Sequence, residues 1–405
     1  MSKPKEILIA GAGVGGLTAA LALATKGFQV SLYERVNELG EVGAGLQIAA
    51  NGTRVLEKLG LGAALDSIGF KPEAATLRLG QSGREVFSNA LGAHARARYG
   101  AWYYHVHRVD LHRILSDAVQ SNANIKLELG KAVESFNDTG ECVEVILSNG
   151  DCLKADALIG ADGIHSVVRE GLFGKEQPRF TGNVAWRLLV PTNALPDGLI
   201  PPHATVWTGP KGHAVTYYVR GGALVNFVGV IERHDWQVES WLESGDIGEL
   251  RRDFAPWCST IHQLIDAAND DTCFKWALFD RDPMKHWSRG RVTLLGDACH
   301  PMLPFMAQGA CMAIEDAWVL ANWLDELENP EAAFIAYETE RSKRTGRVQL
   351  AARANAKRFH KGEAFSQLAT YGPMWIAAKL APDLLNKPFD WIYGYDVTKV
   401  RGAKQ

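Results

Sequence analysis

Three short segments carry the residue types that hold a phosphorylated, polyhydroxylated ligand. Residues 291–317, RVTLLGDACHPMLPFMAQGACMAIEDA, bring Gly296-Asp297, a loop broken by Pro304, and Gln308-Gly309 ahead of a helical pattern. A carboxylate there accepts hydrogen bonds from hydroxyls. A helix opening at Gly309 offers free backbone N–H groups and a positive dipole end. The amino terminus carries GAGVGG, with Gly11, Gly13 and Gly16 in the G-x-G-x-x-G positions. In DALIGADGIHSVVR, residues 156–169, an apolar run ends in a second acid–glycine pair, Asp162-Gly163.

The elements around these residues follow from periodicity. Ile7 to Ala10 reads as a strand, Leu17 to about Thr25 as a helix closed by Gly27, and Val30 to Tyr33 as a second strand ending in Glu34. This is the βαβ dinucleotide fingerprint. Its glycines allow a tight turn and close approach to a pyrophosphate, and an acid about 20 residues on meets ribose hydroxyls. An export signal is the competing reading, because Lys3 and Lys5 precede an uncharged stretch. Four glycines within six residues break such a helix, and no small-residue cleavage site fits. Val292 to Leu295 reads as a further strand, and Ser166 and Arg169 fall on a helix behind Asp162-Gly163.

With these segments in order, the chain resembles the single-component FAD-dependent aromatic hydroxylases, the group of 4-hydroxybenzoate, salicylate and 3-hydroxybenzoate hydroxylases. The resemblance runs from Ile7 to about Tyr395. It implies that Gly11, Gly13, Gly16 and Glu34, with Arg35 beside it, hold the ADP half of FAD. Asp162 and Gly163 then lie near the pyrophosphate and the approach of NADH or NADPH. Gly296, Asp297, Pro304 and Gly309 contact the ribityl chain and ring system. The segment HRVDLHRIL matches as well, with Arg108 as a cofactor contact. Read without the family, Arg108 is a surface charge at a helix start with Asp110 as cap. Gln47, in EVGAGLQIAANG, sits where the family loop passes the flavin; the alternative is a solvent-facing loop residue.

Composition sets outer limits. A chain of 405 residues with net charge −3 can bury a large core, and it shows no basic tract for nucleic acid. The six cysteines include no C-x-x-C pair, so they read as small buried hydrophobes of a reducing compartment rather than metal ligands or disulfides. No apolar run beyond the fingerprint nears membrane-spanning length, which predicts a soluble, cytoplasmic protein. A homodimer is the family's common form.

The expected fold is α/β with an α+β insertion: a Rossmann-like FAD-binding domain interleaved with a β-sheet substrate domain, then a helical C-terminal segment. The first domain takes residues 1–75, 100–177 and 284–330, and the substrate domain takes 76–99 and 178–283. Residues 331–405 form the terminal segment. Within it, 330–372 reads as one long helical stretch, and the aromatics Trp375, Phe389, Trp391, Tyr393 and Tyr395 as packing on the first domain.

HATVWTG, GHAVTYYVRGG and ALVNFVGVI alternate with period two between turn residues, and predict adjacent antiparallel strands. In the middle strand His213, Val215, Tyr217 and Val219 share one face, with His213 and Tyr217 about 13 Å apart along the backbone. Pattern alone favours a half-buried strand with a satisfied histidine. The resemblance instead implies active-site residues, since 3-hydroxybenzoate 6-hydroxylase carries a His and a Tyr in this strand. A phenolate attacks a flavin hydroperoxide faster than a phenol does, so a base near pKa 7 at the substrate hydroxyl suits histidine. The expectation is that His213 accepts the phenol proton and Tyr217 positions the ring. Arg187 and Arg220 are candidate carboxylate partners, but Arg220 lies on the other face. Pro304 departs from that hydroxylase, which has a glutamine there, and this weakens 3-hydroxybenzoate as the substrate.

The expected activity is NAD(P)H- and O2-dependent hydroxylation of a small phenolic acid, salicylate-like or 3-hydroxybenzoate-like. A hydroxypyridine carboxylate such as 6-hydroxynicotinate is the alternative substrate. An oxygen-independent FAD reductase or dehydrogenase, and a non-enzymatic nucleotide-binding module, are the other classes weighed.

Overall fold

The structure is a computed structural model and describes residues 6–40, 44–236, 243–362, 364–380 and 386–399. Two large sheets organise it. The first has six strands in the order Ser288–Arg289, Val292–Leu294, Ala157–Gly160, Glu6–Ala10, Gln29–Glu34 and Ile125–Leu129. All its pairings are parallel except at the short edge strand Ser288–Arg289. Continuous apolar runs such as ILIA and ALIG are what a sheet covered on both faces requires, and these strands are buried almost throughout. The helix Val14–Ala24 has ten buried residues and packs between this sheet and the helix Gly309–Glu326.

The second sheet has seven strands: Phe274–Asp280, Arg179–Pro191, Leu224–Glu232, Gly212–Val219, His203–Gly209, Ala74–Leu79 and Glu85–Ala90. Its pairs are antiparallel except His203–Gly209 against Ala74–Leu79, so the three strands expected to be adjacent are so. Alternation splits its residues between two layers. Trp186, Leu188 and Phe227 pack under the helices Ile247–Asp253 and Ser259–Asp266. Ala185, Val230 and Trp276 face Leu303, Phe305 and Ala352. The second face is therefore turned toward the motif loop of residues 296–309.

Several expectations change. Between residues 130 and 156 the strands Val133–Asp138, Val143–Leu147 and Cys152–Ala155 leave the parallel sheet and form an antiparallel meander of their own. The long helix ends at Phe359, and Ala364–Leu380 is a separate helix with Pro373 inside it. Tyr393 packs on Tyr99 and Tyr103, whereas Trp375 remains 38% exposed. Only Cys273, Cys299 and Cys311 are buried; Cys152 is exposed, and Cys142 and Cys258 are half-buried. Hydrophobic composition did not distinguish these edge and turn positions from core ones. No helix among the described residues is long and apolar enough to cross a membrane.

Candidate active site

The glycine loop has the shape a dinucleotide needs. Gly11 adopts φ +99°, and a Cβ there would lie 2.5 Å from the Ala161 carbonyl oxygen, so only glycine fits. Gly13 precedes the helix Val14–Ala24 without a side-chain cap, and apart from its chain neighbours no atom of the described residues lies within 4 Å of where its Cβ would be. The helix thus points free N–H groups at open space. Glu34 closes the loop from the next strand: its Oε2 accepts from the Ala12 N–H at 2.7 Å. Arg35 follows it and is exposed.

The other two motifs converge on the same edge of the sheet. Asp162 Oδ2 accepts from the Val168 N–H at 3.2 Å, while Oδ1 is buried without a partner among the described residues. Burial pushes this carboxyl above its usual range. Gly163 has φ +79° and open space around it. Asp297 is exposed between buried Gly296 and Ala298. Pro304 is exposed and opens the turn Pro304–Met306, and Gly309 begins its helix without a side-chain cap. Gln308 Nε2 is buried without a partner among the described residues. Free N–H groups, space beside Gly13 and unmet polar atoms fit FAD.

His300, from the same motif, turns inward. Its Nε2 lies 2.5 Å from Asp316 Oδ2, and Asp316 pairs with Arg341 at 2.7 Å. Glu315 pairs with Arg341 at 2.6 Å and Arg344 at 2.8 Å, and accepts from Asn51 Nδ2 at 2.6 Å. This charge cluster fixes the helix behind Gly309. Sequence reading missed it, because nothing local to the Glu315-Asp316 pair signals an arginine 25 residues on.

The substrate side is built on one face of the seven-stranded sheet. Directly paired residues share a face, and the register sets His213 against Val230 and Ala185, Val215 against Val228 and Arg187, and Tyr217 against Asn226 and Leu189. Arg187, His213 and Tyr217 therefore face the same way. Tyr217 is buried, 4.7 Å between ring centres from His105. Asn226 Oδ1 accepts from the Gly45 N–H at 2.9 Å and ties sheet to cradle. Gln47 belongs to the strand Gly45–Ile48, where its Oε1 accepts from Tyr103 Oη at 2.6 Å, so it is neither in a loop nor pointed at solvent.

Arg187 is 1% exposed, with its guanidinium 4.6 Å from the centre of the Phe274 ring, and its Nη2 has no partner among the described residues. Burial and repulsion from Arg108, which starts the helix Arg108–Gln120, lower it to about 10. Arg108 is the neighbouring cation, and no ion pair joins Arg187 to a carboxylate among the described residues. A buried cation is costly without a counter-charge. Arg220 instead pairs with Asp110 at 2.9 Å and is 45% exposed. His213 is buried against Phe305 and Phe359, and burial holds it neutral, well below its usual range.

A family model described as the FAD binding domain matches residues 5–352. The chain belongs to this family. It is similar to 6-hydroxynicotinate 3-monooxygenase of Pseudomonas fluorescens, at 37% identity over 406 residues covering 99% of this chain and 97% of that one. It is similar to 3-hydroxybenzoate 6-hydroxylase of Polaromonas naphthalenivorans, at 36% identity over 394 residues covering 96% of each. Among solved structures, Klebsiella pneumoniae HpxO complexed with FAD and uric acid superposes with TM-score 0.86 at 28% identity, covering 96% of this chain and 97% of that one. FAD is thus the cofactor.

Proposed function

We propose that this protein is an FAD-dependent NAD(P)H monooxygenase that hydroxylates the ring of a small phenolic acid. One observation carries the reading: Arg187, Tyr217 and His213 share a sheet face that is turned toward the FAD cradle. The overall balance is ring C–H, O2, NAD(P)H and a proton giving ring C–OH, water and NAD(P)+.

Reduced FAD, when bound, supplies the activation of dioxygen. The chain's residues prepare the ring. Arg187 binds the substrate carboxylate through a charge-assisted hydrogen bond, strengthened by its burial. Tyr217, flanked by His105, sets the ring plane. His213, held neutral, takes the hydroxyl proton and raises electron density ortho and para to that oxygen. Phe305 and Phe359 beside it keep water from the reacting edge.

A second reading keeps this machinery and replaces the phenol with a hydroxypyridine. It is favoured by the likeness to two 6-hydroxynicotinate 3-monooxygenases, each matched over nearly the whole chain. The experiment follows NAD(P)H oxidation and O2 uptake together, with salicylate, 3-hydroxybenzoate and 6-hydroxynicotinate in turn and product analysis. A hydroxylated product matched to O2 consumed supports the proposal and names the substrate. NAD(P)H oxidation without O2 uptake replaces it with the reductase reading.

A further inference from the structure

His213 is joined to the protein surface. Its Nδ1 lies 2.9 Å from His360 Nε2, and His360 Nδ1 lies 2.8 Å from Glu232 Oε1. His360 follows the long helix Pro330–Phe359, its side chain 4% exposed, whereas the Glu232 side chain is 45% exposed. The three residues come from two strands and a helix end, and form a hydrogen-bonded line from the buried face to solvent.

The direction of that line follows from donor chemistry. A carboxylate only accepts, so His360 Nδ1 carries the proton of the outer bond. Burial keeps both imidazoles neutral. His360 Nε2 then has a lone pair and accepts from His213 Nδ1–H. That leaves His213 Nε2 unprotonated and available as a base. The charge acting on His360 is that of Glu232, and among the described residues the ionisable group acting on His213 is His360. Lys211, whose amide donates to the His360 carbonyl, is exposed.

We propose that Glu232, His360 and His213 form a proton relay that presents His213 Nε2 as the base and delivers the substrate's hydroxyl proton to the surface. This rests on the reading of His213 as that base. The substrate O–H bond breaks as a proton binds His213 Nε2. The Nδ1 proton of His213 passes to His360 Nε2, and the Nδ1 proton of His360 passes to the Glu232 carboxylate and on to water. Both imidazoles change tautomer and neither is left as a buried cation, which a single isolated histidine could not avoid. His360 and Glu232 act through His213 and are positioning residues.

The test uses the FAD-loaded protein labelled with 15N-histidine, at neutral pH. The expected spectrum shows His213 and His360 as neutral tautomers protonated at Nδ1. In Glu232→Gln the His360 preference is lost, because an amide also donates. An Nε2–H tautomer or an imidazolium at His213 in the unaltered protein overturns the relay. The second arm measures coupled hydroxylation against pH for Glu232→Gln, His360→Asn and His213→Ala. Glu232→Gln, at a half-exposed position, is the variant that leaves the fold undisturbed. It is expected to lower hydroxylation about 10²-fold and shift the pH profile, with FAD content and the KM for the aromatic acid unchanged. A fall in His213→Ala with wild-type profiles in the other two removes the relay alone. Wild-type hydroxylation in His213→Ala removes the base assignment itself.

Discussion

The Tyr217 ring closes over Gly45 so tightly that a Cβ on Gly45 would fall 2.5 Å from a ring carbon. The contact joins the strand Gly45–Ile48 of the cradle side to the sheet that carries the substrate face. Gly45→Ala therefore has to move a buried tyrosine. The expected result is overpacking of about 1–3 kcal/mol in unfolding experiments. It should also raise the fraction of NAD(P)H spent without hydroxylated product, while FAD stays bound. Wild-type coupling in Gly45→Ala would remove Tyr217 from ring positioning.

Arg187 is buried with no counter-carboxylate among the described residues, and the proposed function assigns its charge to the substrate carboxylate. Arg187→Met keeps the packing against Phe274 and removes the cation. The variant is expected to be no less stable than the parent, since an unpaired buried charge is destabilising. Binding of the aromatic acid, followed by flavin fluorescence, should weaken about 10- to 100-fold, the loss of one charge-assisted hydrogen bond. Loss of stability with unchanged affinity would contradict the assignment.

His213→Ala tests the base. FAD content should be unchanged, because His213 lies on the substrate sheet and not in the glycine loop. Coupled hydroxylation should fall roughly 10²-fold or more. The check is product formed per NAD(P)H oxidised at saturating substrate.

The cluster of Glu315, Asp316 and Arg341 is fully buried. Arg341→Met removes the arginine shared by two buried carboxylates, leaving Glu315 to Arg344 and Asp316 to His300, and is expected to cost about 3–5 kcal/mol. Because the helix they anchor begins at Gly309, FAD loss on heating should occur at lower temperature. Thermal unfolding monitored by flavin fluorescence reads both.

Acid should destabilise the protein well before its carboxylates titrate. Burial lowers His105 to about 3 and also lowers His107, His213 and His360. Each depressed histidine contributes stability that is fully present above its unfolded pKa, about 6.5. Below that pH the unfolded chain takes up protons that the folded chain refuses. Stability then falls, approaching about 1.4 kcal/mol per pH unit per histidine, down to the folded pKa. Denaturant midpoints at pH 7.5 and 5.5 check this, and His105→Phe should reduce the difference.

Local pattern alone determined the backbone geometry of the three motif segments. A positive-φ glycine, a strand ending in an acid and an uncapped helix start lie within a few residues of one another, so the GAGVGG, Asp162-Gly163 and Gly296-Asp297 segments predicted their own geometry. Period two likewise placed His213 and Tyr217 on one face and Arg220 off it, because alternation is a property of the strand itself. What each side chain meets was decided only by the tertiary structure. His213 finds His360 across 147 residues, and His360 finds Glu232 across 128. Arg187 is buried against Phe274 and near Arg108 only because the fold brings those segments together. His300 stands inside a motif and yet serves the buried cluster, since its orientation depends on Asp316 and Arg341. Sequence carries the period and the turn; burial, partner and protonation state are set by segments that meet only when the chain folds.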